Sequence, residues 1–115
     1  MNDTIMLLKV MEETAKTYEE SYKLLKEKVE SILKDCYGLY AVETMKLHIA
    51  RDISDEKGFK ECNSRLEYIR NAIDFLKEQQ IQLTNNMTYA NSFKRYTLEK
   101  MQNTLKDNPI NEDND

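Results

Sequence analysis

Residues 4–36 read TIMLLKVMEETAKTYEESYKLLKEKVESILKDC, and the spacing of the apolar side chains in this stretch decides the fold. Alternating steps of four and three residues meet an apolar or aromatic side chain at nine of ten positions. Those positions are Thr4, Leu8, Met11, Ala15, Tyr18, Tyr22, Leu25, Val29, Ile32 and Cys36. Nearly five unbroken heptads are typical of a coiled coil. The stretch therefore predicts one long helix over residues 3–37, which needs a partner for its apolar seam.

A second heptad series follows from Phe59 and predicts a second long helix over residues 59–84. Its next positions are Cys62, Leu66, Ile69, Ile73, Leu76, Gln80, Leu83, Met87 and Ala90. Gln80 either fixes the register of the seam or is a tolerated polar residue at a wet position. After Ala90 the seam becomes polar, and Leu98, Met101 and Leu105 form a displaced stripe. The second helix either continues or breaks near 85–86 into a separate helix over 87–106.

The segment between the two heptad series, residues 38–58, is predicted to be a connector. Gly38 ends or kinks the first helix, because glycine tolerates the left-handed geometry of a helix stop. Residues 39–53 suit a short helix, although their alternation also permits a β-hairpin, and residues 54–58 indicate a turn with capping capacity. Pro109 ends the helical body, and the polar, acidic residues 108–115 are predicted to be a disordered tail.

The composition agrees with a helical chain in one domain, residues 1–107. Two glycines and one proline in 115 residues exclude compact β folds and glycine-rich phosphate loops. We therefore expect an all-α fold, an antiparallel helical hairpin or coiled coil with a shorter C-terminal helix. Its seams should also drive homo-oligomerisation, since one hairpin does not readily cover so much apolar surface. The predicted packing residues are Leu8, Met11, Tyr18, Tyr22, Leu25, Val29, Ile32, Leu66, Ile69, Ile73, Leu76 and Leu83.

Charge and cysteine content limit the partners and the compartment. A net charge of −4 argues against indiscriminate binding to duplex DNA but permits a local basic strip. No apolar run reaches the roughly 18–20 residues of a membrane span. Cys36 and Cys62 are isolated, which suggests reduced thiols in the cytoplasm. We expect a cytoplasmic protein without a membrane partner.

The residues that would support catalysis or cofactor binding are scarce. His48 is the sole histidine, and its spacing from Cys36 and Cys62 matches no metal motif, so we expect no metal and no cofactor. The glutamate pairs 12–13 and 19–20 fall on the charged faces of the first helix. Without a phosphate loop or a nucleophile elbow, the chain is predicted not to be an enzyme.

Residues 87–100, MTYANSFKRYTLEK, interleave aromatic and basic side chains. Aromatic rings stack on unpaired bases while Lys and Arg follow the phosphates, so this stretch is a candidate nucleic-acid site. The alternative is that the aromatic residues pack in the core and the basic residues offset the helix dipole. The candidate binding residues are Tyr89, Phe93, Lys94, Arg95, Tyr96 and Lys100.

Three short motifs resemble the C-terminal part of UvsY-type recombination mediators of tailed phages. They are LEYI at 66–69, FL at 75–76 and LTNNM at 83–87, followed by Tyr89 and Phe93 near the aromatic and the Phe of that family. Upstream, Tyr37-Gly38 looks like the turn that ends the family's charged helix. The likeness covers about residues 10–95, and Thr84 stands where the family has a lysine.

The resemblance implies an oligomeric accessory protein that binds single-stranded DNA, contacts a single-strand-binding protein and loads a recombinase. It would act in the host cytoplasm if a phage encodes it. The other hypothesis is a coiled-coil assembly or adaptor protein that binds other proteins and ignores nucleic acid. Prefoldin subunits, which run long helix, connector, long helix, are similar to this architecture.

Overall fold

The computed structural model describes residues 3–107, which form two α-helices and no strand. The first helix, α1, spans Asp3–Asp52, and the second helix, α2, spans Glu56–Asp107. The two make an all-α helical hairpin, as the heptads predicted. The predicted tail over 108–115 and its Pro109 lie outside the described residues.

The side of α1 that faces α2 repeats every seven residues along the whole helix. Its buried and half-buried residues, which we call the α1 seam, are Ile5, Leu8, Glu12, Ala15, Glu19, Tyr22, Lys26, Val29, Leu33, Cys36, Tyr40, Glu43, Leu47 and Ala50. Every second residue of this seam, for example Leu8 and Ala15, agrees with the predicted series. The residues between them lie one position later in the chain than predicted, so that Leu33 replaces Ile32. Tyr18, Leu25 and Ile32 are consequently exposed, and Met11 is half-buried beside the seam.

The corresponding α2 seam keeps the predicted register and continues beyond Ala90. It comprises Phe59, Cys62, Leu66, Ile69, Ile73, Leu76, Gln80, Leu83, Met87, Ala90, Lys94, Thr97, Met101 and Thr104. Thr97 is fully buried, and its hydroxyl donates to the Lys94 carbonyl at 2.8 Å. The α2 seam after Ala90 is therefore polar but still packs against α1. The sequence had suggested a displaced apolar stripe there instead.

The turn between the helices is three residues long and closes both helix ends. Ser54 adopts a left-handed backbone with φ of 57°. Its N–H bonds the Arg51 carbonyl at 3.2 Å, and the N–H of Asp55 bonds the Ala50 carbonyl at 2.8 Å, the pattern of a Schellman stop. The Asp55 carboxylate then accepts the N–H of Gly58 at 3.0 Å and caps α2. The capping capacity predicted for residues 54–58 thus belongs to Asp55.

Gly38 lies inside α1, so the predicted helix end at 37 and the connector over 38–58 differ from the structure. Neither glycine has a positive φ. A glycine in a helix interior costs only about 1 kcal/mol, which the continuing seam through Tyr40, Leu47 and Ala50 offsets. Residues 39–52 are helical, as favoured over a hairpin, but they extend α1 instead of forming a helix of their own.

The C-terminal helix expected after a break near 85–86 is absent from the described chain, because α2 runs unbroken to Asp107. Asparagine is only mildly unfavourable in a helix. Leu83, Met87 and Ala90 keep the seam on both sides of the two asparagines. Packing therefore carries the helix through a segment of weak propensity.

Gly38→Ala is expected to raise the free energy of unfolding by about 0.5–1 kcal/mol, because alanine has the higher helix propensity. A Cβ at this position meets no atom within 4 Å. Urea denaturation measures the change. Gly58→Ala is the control and should destabilise, since its Cβ would come within 2.8 Å of the Cγ of the capping Asp55. A loss of stability in Gly38→Ala would contradict a helical Gly38.

The hairpin divides into two compact units that each contain a segment of both helices. The first unit is formed by residues 3–25 with 83–107, and the second by residues 26–82. In both units the α1 and α2 segments are antiparallel neighbours joined by side-chain contacts.

Candidate interaction surface

Lys94, one of the candidate DNA-binding residues, lies on the α2 seam of the first unit. Its Nζ donates to Oε2 of Glu19 at 3.2 Å, with both side chains about two-thirds buried. Glu19 is itself a seam residue of α1, so two polar positions face each other. The ion pair holds the antiparallel register of the first unit, and it commits the charge of Lys94 to Glu19.

The other candidate residues lie outside the seam. Tyr89 and Tyr96 are 73% and 51% exposed, and Arg95 and Lys100 are exposed as well. The Lys100 Nζ lies 5.6 Å from the ring centroid of Tyr96, a cation–π geometry. Phe93 is 42% exposed. The structure therefore brings Tyr89, Tyr96 and Lys100 to the surface, and separates Lys94 from them.

A groove in the first unit is bordered by aromatic rings from both helices. Its volume is about 400 Å³, and its lining residues are Thr14, Ala15, Tyr18, Tyr22, Asn86, Tyr89, Ala90 and Phe93. The Tyr18 and Tyr22 rings stack at a centroid distance of 6.3 Å and an angle of 22°. All of the lining side chains are uncharged, so the groove suits an apolar occupant.

The groove is part of a wider surface without charge, which we call the uncharged flank. On α1 it comprises Leu7, Val10, Met11, Thr14, Thr17, Tyr18, Ser21, Leu24 and Leu25, and on α2 it comprises Asn86, Tyr89, Phe93 and Tyr96. In the heptad frame Met11, Tyr18, Leu25, Asn86 and Phe93 lie beside the seam, and the other residues follow them round each helix. Val10, Thr17 and Leu24 come last, on the side of α1 turned away from α2. Between residues 7 and 25, the charged residues of α1, including Glu13 and Lys16, occupy other positions.

The threonine and serine hydroxyl groups on the flank are satisfied within α1. The side chains of Thr14, Thr17 and Ser21 donate to the carbonyls four residues earlier, at 2.8, 3.0 and 3.0 Å. A back-bonded hydroxyl needs no external acceptor, so it can be covered by another chain without the cost of an unmade hydrogen bond. Although three of its α1 positions are polar by composition, the flank can be buried.

In the second unit, α1 and α2 are joined by contacts of charged side chains. Arg65 Nε donates to Oε2 of Glu43 at 2.8 Å, and Lys46 Nζ lies 3.7 Å from Oε1. Arg65 also donates to the Sγ of the buried Cys62 at 3.3 Å. On the other edge, the Arg70 guanidinium donates to the Tyr40 hydroxyl at 3.2 Å and lies 5.6 Å from its ring centroid.

The ion pair between Glu43 and Arg65 shifts the pKa of both groups. The hydrogen bond from Arg65 holds the pKa of the Glu43 carboxyl below its ordinary 4.5, against the opposing effect of burial. The same bond raises the pKa of the Arg65 guanidinium. Both groups are therefore held in their charged forms, as expected of a contact that ties α1 to α2.

Residues 3–107 contain no group of three or more His, Cys, Asp and Glu side chains that could hold a metal ion. His48 Nδ1 lies 3.0 Å from Arg51 Nη2. No helix in that range is both long and apolar enough to cross a membrane.

No family model, curated protein or solved structure matches this chain.

Sequence reasoning placed Tyr18 and Leu25 in the seam and so missed their role in the uncharged flank. A signal was present in the sequence. Between residues 7 and 25, the positions one residue before, two before and two after the seam residues Ile5, Glu12, Glu19 and Lys26 carry no charge. A helix with one partner needs a single apolar stripe, so a second charge-free side indicates a second contact.

Proposed function

We propose that this chain is a non-enzymatic helical assembly protein, whose uncharged flank binds an apolar helical surface of another polypeptide. The observation that carries the proposal is the exposure of eight large apolar or aromatic side chains on this flank, each between 42% and 73% exposed. They are Leu7, Val10, Tyr18, Leu24, Leu25, Tyr89, Phe93 and Tyr96.

The size of this surface supports a binding role. At roughly 200 Å² for each side chain of this size, the eight residues present on the order of 900 Å². The largest apolar patch of a typical monomer is about 300–600 Å². A chain with one-third of its residues charged has ample means to cover helices with charge, so an uncharged side of this extent favours contact with another chain. Such a protein would act in the cytoplasm, where Cys36 and Cys62 stay reduced.

Photo-cross-linking tests the proposal. p-Benzoylphenylalanine at Tyr18 should form a covalent adduct of discrete mass in the cells that make the protein, and mass spectrometry then identifies the adduct. Tyr37 provides the matched control, because it is also a tyrosine on α1 and is 47% exposed against 57% for Tyr18, but lies outside the flank. The absence of an adduct at Tyr18, or equal adducts at both positions, would count against the flank as a binding surface.

Binding to single-stranded nucleic acid is the second candidate, favoured by the exposure of Tyr89, Arg95, Tyr96 and Lys100. Two rings can stack on bases while the two cations neutralise phosphates. The UvsY-type resemblance would add a recombinase and a single-strand-binding protein as partners. Fluorescence anisotropy with a labelled oligonucleotide should then show an affinity that falls with log[salt] and weakens in Arg95→Ala and Lys100→Ala. Lys94→Ala should have less effect, since Lys94 is paired with Glu19; no binding at about 50 mM salt excludes this candidate.

A further inference from the structure

We propose that the uncharged flank is covered by the same flank of a second copy of this chain, so that α1 of each first unit packs on α2 of the other. This inference rests on the assembly function proposed above and names its partner. The two copies would be related by a two-fold axis that runs along the helices of the first unit.

The area of the flank agrees with this occupant. A two-fold interface uses the same surface on both copies, so that surface must complement itself. A standard protein–protein interface buries about 800 Å² on each partner. Without Val10 and Leu24, which lie on the far side of α1, the flank presents on the order of 700 Å², estimated from roughly 200 Å² per side chain, which is close to one partner's share of such an interface. The flank residues carry no charge, and the cation at their border is Lys100 over the Tyr96 ring, so two identical copies meet with little repulsion.

Two flanks can meet face to face in two ways, with α1 on the partner's α2 or with α1 on the partner's α1. The sizes of the side chains on the two helices favour the first arrangement. At the flank position one step farther from the seam than Tyr18 and Phe93, α1 carries the small residues Thr14 and Ser21, and α2 carries the large residues Tyr89 and Tyr96. Packing α1 on the partner's α2 seats large side chains on small ones, as in well-packed helical interfaces. Packing α1 on the partner's α1 would place small residues on small ones, and would leave the tyrosines to collide.

The spacing of these residues along the two helices also agrees with the packing of α1 on the partner's α2. Thr14 and Ser21 are seven residues apart on α1, and Tyr89 and Tyr96 are seven residues apart on α2, so both pairs are separated by about 10.5 Å. The bond between Glu19 and Lys94 places these stretches beside each other in one copy. A two-fold axis along the helices leaves the position of each residue along that axis unchanged. It would therefore lay Tyr96 of the partner subunit across Thr14.

Sedimentation equilibrium of the full chain, in a concentration series that reaches roughly 1 mM, tests the proposal. The chain should be a dimer, and Tyr18→Glu should raise its dissociation constant by about 30-fold or more, as expected for loss of a central apolar contact. The same substitution at Tyr37, outside the flank, should change it by less than about 3-fold, a typical rim effect. Circular dichroism must show that both variants keep the helical content of the parent chain. A monomer across the series, or an unchanged dimer in Tyr18→Glu, overturns the inference.

Thr14→Phe tests the arrangement of the helices. The variant enlarges the apolar surface but fills the seat of the partner's tyrosine, so dimerisation should weaken by about 10-fold, as overpacking does. Tighter association would overturn the pairing of α1 with the partner's α2. If the chain is monomeric while p-benzoylphenylalanine at Tyr18 captures a different protein, the second copy is wrong and the assembly function stands. If it captures nothing, both fail.

Discussion

Leu33→Ala is expected to lower the free energy of unfolding by about 2–4 kcal/mol, because it removes a buried side chain and leaves a cavity. Leu33 is 5% exposed on the α1 seam, whereas Ile32 beside it is 50% exposed. Ile32→Ala should therefore change the free energy of unfolding by less than about 1 kcal/mol, since the lost contacts are partly offset by the helix propensity of alanine. Urea denaturation at one fixed protein concentration measures both variants.

The two neighbouring variants distinguish the observed seam from the one that the apolar spacing predicts. The sequence analysis assigned Ile32 to the seam, and in that register Ile32→Ala would be the costly substitution. Equal losses, or a larger loss in Ile32→Ala, would show that α1 is rotated relative to the described packing. The m-value should stay constant in both variants, because a change would mean that the unfolded state differs as well.

The helical hairpin could be predicted because its determinants are local. Apolar residues at seven-residue spacing on both sides of a short polar turn dictate two helices that pack on each other. The turn chemistry of residues 54–58 also indicated a capped turn before α2, where Asp55 accepts the Gly58 N–H, although α2 begins at Glu56 instead of the predicted residue 59. These features depend on side chains within a few residues of one another, so a reading along the chain detects them.

The C-terminal end and the register of α1 could not be predicted because they depend on α2. Glycine usually marks a helix stop, but here Gly38 is helical and Ser54 takes the left-handed position. The polar seam residues Glu19 and Glu43 look exposed when α1 is read alone. They are seam residues only because Lys94 and Arg65 approach them from α2. A heptad series that is chosen for the apolar residues of α1 alone therefore includes Tyr18 instead of Glu19.

The candidate site was only partly predictable for the same reason. Tyr89, Arg95, Tyr96 and Lys100 are exposed, as a binding role requires, because none of them lies on the α2 seam. Lys94 was grouped with them by its place in a basic run, and the partner that withdraws it lies 75 residues away in the chain. The uncharged flank joins segments from both helices, so it becomes visible only in the folded hairpin.

The polar contacts in the seams give the hairpin a defined alignment that apolar residues alone would not impose. An apolar seam can slip by one heptad and still bury its residues, whereas a polar residue that loses its partner on slipping disfavours the shifted register. Glu19 with Lys94 serves this purpose in the first unit, and Glu43 with Arg65 in the second. Of the two acidic residues, Glu43 is the more buried, at 8% exposed. We therefore expect its ion pair with Arg65 to contribute more to stability than the pair of Glu19 with Lys94.

We expect the melting temperature of the chain to fall as the pH is lowered through the range below 4.5, with Glu43 contributing a distinct part of that fall. The folded-state pKa of Glu43 is depressed below its ordinary 4.5 by the hydrogen bond from Arg65. A group with a depressed folded-state pKa stabilises the fold above the unfolded-state pKa, and this stabilisation is lost as the pH falls through the folded-state pKa. In Glu43→Gln the titrating group is gone, so its melting temperature should depend less steeply on pH in this range.

Arg65→Ala separates the ion pair from the other carboxylates of the chain. Without the guanidinium, burial pushes the pKa of Glu43 upward, so protonation no longer costs stability and the acid slope should flatten as it does in Glu43→Gln. Arg65→Ala should also be the less stable variant at pH 7, where it leaves the Glu43 carboxylate charged and without its main donor. Arg70→Ala is the matched control, because it removes the same charge from the same helix but its partner is the neutral Tyr40 hydroxyl. Scanning calorimetry between pH 3 and 7 measures all four proteins, and an acid slope in Arg65→Ala as steep as in Arg70→Ala would mean that the ion pair does not set the acid sensitivity of the fold.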